Sequence, residues 1–346
     1  MRRMDRQIVS NAGHALGVML LLAGLASSRE IVDQAGRKVV LPEKIEKIYA
    51  AQPYTNVIGY MVAPDMLIGQ LLEPKGDDAR FARPEYLALP ALGGTPGSGK
   101  EVNMETVLAA KPDLVLLKGD AKTDATRSTE KFQKLGLPVV FVDLEEIDSY
   151  PAGLDFLGKL LGREEKTTKM AAFARGILSE VDQAVASVPK DKRVKVYYAE
   201  SPDGLSTECD QSFHADAIRR AGGDIVHHCI LQSHMGMEKV SLEQVILYNP
   251  DWIVSNDPQF EATVYGDPRW KNVKAVAGHR VLTVPRTPFN WIDRPPAVTR
   301  IAGIPWLAHH FYPQAFKSDL KKQLLEFHQL FLGITPKPSD LDAWTK

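Results

Sequence analysis

The amino-acid sequence predicts an α/β protein of two similar sandwich lobes with mainly parallel sheets, joined by one long connector helix. Three observations predict it. First, residues 102–116 and 240–254 align without a gap: Glu105 pairs with Glu243, and Pro112 with Pro250, both 138 positions apart. Each copy reads as a short helix, then Pro-Asp, then a strand, so one unit is built twice. Second, short apolar strand runs alternate with helical stretches, the pattern of α/β layers around parallel sheets. Third, residues 151–188 carry no strand signal and lie between the two copies.

The elements follow in chain order. Arg2, Arg3 and Arg6 precede an apolar run over 15–26, followed by small residues. This is a secretory signal with cleavage near Ala26, so residues 1–26 leave the mature chain. The run is short for a bilayer span, and a retained membrane anchor is the alternative. No cysteine sits at the cleavage site, which argues against a lipid anchor. Residues 31–42 read as a hairpin around Ala35-Gly36. Residues 47–51 read as a buried strand, 56–61 as a helix, and 67–69 as the start of another strand. Residues 72–101 are loop-rich. After the first repeat copy come a polar helix at 124–135 and a strand at 139–142.

Leu154, Leu157, Leu160 and Leu161 share one helical face. From Glu164 to Val188 a helix of about 25 residues is expected, bounded by Gly162 and Pro189. The second lobe opens with a strand at 194–199. A helix follows at 214–221, then the second repeat copy, a helix near 269–277 and a strand at 281–284. Two helices near 296–310 and 313–332 follow, and the polar tail beyond Gly333 reads as a loose end. The domains are therefore the signal at 1–26, an N-terminal lobe at 27–150, a connector region at 151–189 and a C-terminal lobe at 190–346.

The chain has 346 residues, 44% hydrophobic and 25% charged, with a formal net charge of −1. That is ordinary for a soluble globular protein and gives no bulk charge for nucleic acid. Cys209 and Cys229 are the two cysteines. In an exported protein they can form a disulfide, or serve as thiolate ligands among the neighbouring histidines. The run Gly94-Thr95-Pro96-Gly97-Ser98-Gly99-Lys100 imitates a phosphate loop. Glu101 stands where a Ser or Thr would hold Mg²⁺, so it is read as a plain loop at the cleft edge.

The sequence resembles the substrate-binding proteins of ABC importers for ferric siderophores, haem and cobalamin. The resemblance rests on Asp33-Gln34-Ala35-Gly36-Arg37, the two glutamate–Pro-Asp units, the long inter-lobe helix, and Trp306 with Tyr312-Pro313. It covers nearly the whole mature chain. It implies a periplasmic, monomeric binding protein whose partners are a small ligand and an inner-membrane permease. It further implies that Glu105 and Glu243 dock to that permease. As plain residues, glutamates on a first helical turn are also favoured by the helix dipole.

In open α/β sheets ligands sit beyond the carboxyl ends of the strands. The loops there are 52–56, 72–84, 93–100 and 118–124 in the first lobe, and 200–213, 227–239, 255–267 and 285–296 in the second. Two of them mix cations with aromatics: Arg80 and Arg83 around Phe81, and Arg286, Phe289, Trp291 and Arg294. Arginine forks and aromatic faces suit an anionic chelate, and Tyr54 can face the same cleft. Burial of Trp291 under a surface loop is the structural alternative. Within thirty residues lie Cys209, His214, His227, His228, Cys229, His234, Met235 and Met237, donors for a soft or borderline metal or a haem iron. His227, His228 and His234 are the foremost metal candidates.

The expected function is capture of a ferric siderophore-type chelate without chemistry. Haem, cobalamin, nickel or another transition metal is the alternative ligand. An exported metal-dependent hydrolase is the alternative class, with Glu208, Asp210 and Glu238 as available bases. No HExxH or nucleophile-elbow signature is present.

Overall fold

A computed structural model describes residues 28–93, 102–230 and 236–346. The signal segment 1–26, the loop at 94–100 and His234 lie outside the described residues. Strands β1 (Ser28–Val32) and β2 (Lys38–Pro42) form an antiparallel hairpin. Asp33 organises its turn by accepting the Arg37 backbone N–H at 2.9 Å and pairing with the Arg37 guanidinium at 2.7 Å.

The first lobe is built on β3 (Ile48–Ala50), β4 (Leu114–Lys118) and β5 (Val139–Val142), all parallel with β4 central. The expected strand at 67–69 is only an isolated bridge from Leu67 to Ile48. In the second lobe come β6 (Lys195–Ala199), β7 (Ser206–Thr207), β8 (Asp224–Ile225), β9 (Glu238–Lys239), β10 (Trp252–Ser255) and β11 (Val281–Thr283). Four of these make a parallel sheet in the order β11-β10-β6-β8, while β7 and β9 pair antiparallel beside it.

Both sheets are apolar on both faces, as parallel sheets under helices must be. Alternate residues split between cores with the strand period of two. Ile48, Ala50, Leu114, Leu116, Val140 and Val142 join a large central core together with Val196, Tyr198 and Val254 of the second lobe. Tyr49, Val115, Leu117, Val139 and Phe141 face a separate outer core, and Tyr197, Ala199, Ile253 and Val281 face another.

The helix Tyr150–Leu161 ends at Gly162, whose φ of 65° supplies the left-handed cap. The helix Glu164–Ala186 then runs 23 residues and packs against Tyr150–Leu161 and the C-terminal helix Arg300–Phe311. It buries Met170, Ala174, Ile177, Val181 and Val185 in the central core. A rigid element anchored in a shared core restricts how far two lobes can move apart.

The C-terminal tail is not loose. Helix Pro338–Trp344 packs back onto the molecule: Trp344 stacks on His328 at 4.7 Å, and Asp340 receives both arms of Arg80 at 2.8 and 3.0 Å. An indole that buries its face and a two-pronged ion pair outweigh the local polarity that suggested a free end.

Candidate functional site

The carboxyl ends of the two sheets bring one group of side chains together. Lys118 is the last residue of β4, held by its backbone N–H donating to Gln52 Oε1 at 2.6 Å. Its ammonium pairs with Glu145 at 2.7 Å and lies 4.7 Å from the centre of the Tyr54 ring. The same ammonium lies 5.9 Å from the centre of the Phe213 ring, in the second lobe. Lys118 therefore spans the cleft, and cation–π attraction operates on both sides of it. Burial, then the charges of Asp293 and Glu145, push the Tyr54 hydroxyl up, so it stays protonated and donating.

From the second lobe, the short turn Phe213–Ala215 starts at Ser212, whose Oγ accepts the His214 N–H. The Phe213 and His214 rings lie 4.1 Å apart. His214 Nδ1 is 2.7 Å from Asp293, a fully buried carboxylate that also accepts the Tyr198 hydroxyl at 3.2 Å. Arg300, itself buried, donates to the carbonyls of Ile292 and Phe213 at 2.8 and 2.7 Å and ties the two loops together.

Next to Asp293 stands Arg294, with φ of 54°. Its guanidinium donates to Glu200 at 2.8 and 3.0 Å and to Glu208 at 2.7 Å. Both carboxylates are 0% exposed. Burial first, then the hydrogen bond and charge of Glu208, push the Glu200 carboxyl up to about 9, against the pull of Arg294. Glu208 goes the other way: burial opposes its charge, but hydrogen bonds from Glu200 and Ser212 and the neighbouring His214 hold it below the usual range.

The other residues singled out in the sequence are placed elsewhere. Trp291 is 0% exposed and meets Trp306, His328 and Trp344 edge to face. It is core and offers no face to a ligand. Arg83 donates to the Leu332 carbonyl at 2.8 Å and lies against Gly333, where any Cβ would collide with it. Arg80 is occupied by Asp340 and by the Phe81 ring at 4.0 Å. Arg286 donates to the Asn256 carbonyl at 2.6 Å. Arg80 and Arg286 do share a groove of about 730 Å³ with Trp344 and His310.

Cys209 and Cys229 form a disulfide with Cα atoms 5.5 Å apart, so neither is a thiolate ligand in this state. His227 is bracketed by the Tyr248 hydroxyl at 2.8 Å and Glu238 at 2.9 Å, and the exposed His228 pairs with Asp210 at 2.9 Å. Glu105 and Glu243 are exposed on the first turns of helices Met104–Ala110 and Leu242–Tyr248.

Sequence reasoning placed Lys118 and Glu145 at loop positions or beyond without singling them out, and it did not select Glu200, Phe213 or Asp293. Lys118, Glu200 and Asn256 each close or directly follow a parallel strand, so the strand-end rule was the available signal.

A model of the periplasmic binding protein family matches residues 92–288. The molybdate-binding protein MolA of Haemophilus influenzae is 27% identical over 94% of this chain and 98% of its own. A vitamin B12-binding protein of Yersinia pestis is 26% identical over 51% of this chain and 63% of its own. Among solved structures, an ABC transporter solute binding protein from Sulfurospirillum deleyianum superposes with a TM-score of 0.85. It is 35% identical and covers 91% of this chain and 98% of that one. MolA bound to molybdate superposes with a TM-score of 0.72 at 24% identity, covering 90% and 99%.

Proposed function

The chain belongs to the periplasmic binding protein family, and we propose that it captures a compact anionic solute in the Lys118 cleft outside the cytoplasm and passes it to an ABC permease. The observation that carries this reading is the Lys118 ammonium held between Tyr54 of one lobe and Phe213 of the other. A small anion can take hydrogen bonds from the lysine, at the end of β4, and from the protonated Tyr54 hydroxyl, on the first turn of helix Pro53–Val62 that follows β3. The similarity to a molybdate-binding protein supports an oxyanion. A flat ferric chelate loses support, because Trp291 is buried, Arg83 is spent on the Leu332 carbonyl, and the carboxylates that hold Arg80 and Arg294 are buried whereas the Glu145 that pairs with Lys118 is partly exposed. No chemistry is assigned to the cleft, and the cysteines that a metallohydrolase would use are joined.

Titration calorimetry with molybdate, tungstate, sulfate and a ferric catecholate tests the reading. Binding of an oxyanion that weakens at least tenfold in Lys118→Ala, roughly 1.4 kcal/mol or more, is the expected result. Binding of the ferric chelate alone would return the ligand to the siderophore class.

Docking to the permease is proposed for Glu105 and Glu243. Each carries an exposed leucine on the same helix face: Leu108 at the third position after Glu105, and Leu247 at the fourth after Glu243, the latter 77% exposed. A solvated carboxylate beside an apolar knob suits a basic, partly apolar pocket.

A further inference from the structure

The disulfide lies beside two metal-type donors. We propose that His227, Cys229 and Glu238 form a site for a zinc-class divalent ion that opens when the Cys209–Cys229 disulfide is reduced. One donor atom from each of the three lies within 4.8 Å of the others. Cys229 Sγ is 3.5 Å from Glu238 Oε1, and His227 Nε2 is 2.9 Å from Glu238 Oε2. Donors of a tetrahedral zinc site with ordinary bond lengths lie about 3.5 Å apart, so the triangle needs only small adjustment. Thiolate, imidazole and carboxylate are the donor set zinc takes, and water completes the fourth position.

Three further features belong to such a site. Tyr248 Oη lies 2.8 Å from His227 Nδ1 and can accept its proton, which leaves the Nε2 lone pair for the ion. The three donors are half-buried rather than solvated. A recess of about 500 Å³ lined by His227, His228, Lys239 and Tyr248 opens beside His227. In the oxidised protein the sulfur is a disulfide sulfur, a poor donor compared with thiolate, and the remaining pair hydrogen-bond to each other.

The chemistry balances with a dithiol reductant. It supplies two electrons and two protons and becomes a disulfide; Cys209 and Cys229 become thiols. The ion then takes Cys229 as thiolate and releases one proton. The site is independent of which solute the cleft binds.

Native mass spectrometry with added zinc, and absorbance with added cobalt as a probe of thiolate ligation, test it on the full mature chain. One zinc per chain is expected in the reduced protein, and in Cys209→Ser without reductant, since that variant leaves Cys229 free. Oxidised protein should bind at least tenfold more weakly. Cys229→Ser and His227→Ala should abolish binding and the cobalt–thiolate band, and Tyr248→Phe should weaken it by roughly tenfold to a hundredfold. The proposal is overturned if the reduced chain takes no zinc, if it takes zinc without a cobalt–thiolate band, or if oxidised protein binds as well. It is also overturned if circular dichroism shows that both the reduced chain and Cys209→Ser have lost the native fold.

Discussion

The two repeat copies share one local design and serve two different neighbourhoods. In the first, Asn103 Oδ1 caps the helix by accepting the Thr106 N–H; in the second, Ser241 Oγ accepts the Gln244 N–H. Lys111 and Asn249 end the helices at φ of 50° and 49°. Asp113 and Asp251 then clasp the start of the neighbouring strand in the sheet, β3 and β6 respectively. Each donates its backbone N–H to that strand, to the Lys47 and Lys195 carbonyls, at 2.8 Å. Each carboxylate accepts backbone N–H groups in return: Asp113 from Glu46 and Lys47, Asp251 from Lys195.

Beyond these clasps the lobes diverge. The second lobe surrounds its strand ends with Arg294, Glu200, Glu208, Asp293 and His214, while the first offers Tyr54, Lys118 and Glu145. What is duplicated is the scaffold. Among the described residues, the buried ionic cluster is found on one side only.

The sharpest way to break that asymmetry is Arg294→Ala. It leaves the buried Glu208 carboxylate and its Glu200 neighbour without their cation, a loss of about 3–5 kcal/mol, whereas Lys118→Ala in the first lobe should cost under about 1 kcal/mol because its partner Glu145 is partly exposed. Urea unfolding measures both, and equal losses would refute the asymmetry.

Acid should act on the C-terminal half next. Burial depresses His328 and His310 to about 4, with Leu324 and Thr287 carbonyls partly supporting the charged form of His328 and the His309 charge opposing that of His310. The unfolded chain binds these protons near pH 6.5 and the folded chain does not, so stability falls as pH drops from about 6.5 to 4. His328 alone accounts for roughly 3 kcal/mol across that window. Unfolding free energies at pH 7 and pH 5 should differ by less in His328→Phe than in the parent chain. An unchanged difference would remove His328 from the account.

The clasps give a smaller effect. Asp113→Ala and Asp251→Ala each leave strand-edge N–H groups without an acceptor and should cost about 1–2 kcal/mol, similar in the two lobes. Asp251 is held below its usual value: burial opposes this, but Lys274 and the Lys195 N–H outweigh it. Its share of stability is present above about pH 4 and fades as pH falls through the lower folded value. A thermal scan of the pair that shows one lobe indifferent would mean the clasps are not equivalent. Least of all should change in Glu105→Ala with Glu243→Ala: stability within about 0.5 kcal/mol, ligand affinity kept, uptake by whole cells lost. Retained uptake would leave these glutamates as helix-start residues.

Much of the fold was legible in the residues. Leu154, Leu157, Leu160 and Leu161 announced a buried helical face, Gly162 its end, and the Pro-Asp steps the strand starts. The strand expected at 67–69 failed because Leu67 finds a single bridge and the chain then turns toward Gln70. The site was less legible. Arg80 and Arg83 sit in a loop that looks free in sequence, yet their partners Asp340 and Leu332 arrive about 250 residues later. Trp291 sits in a loop rich in polar neighbours and is buried by Trp306 and Trp344.

The sequence by itself determined the two-lobe architecture, the connector helix and the duplicated caps, because periodicity, capping and turn chemistry act over a few residues. Only the tertiary structure decided which charges stay available to a ligand. Arg294 is taken up by buried carboxylates 94 and 86 positions away, while Lys118 lies between two rings from opposite lobes and pairs with the partly exposed Glu145. Burial and Coulomb attraction depend on distance in space, and the fold sets that distance.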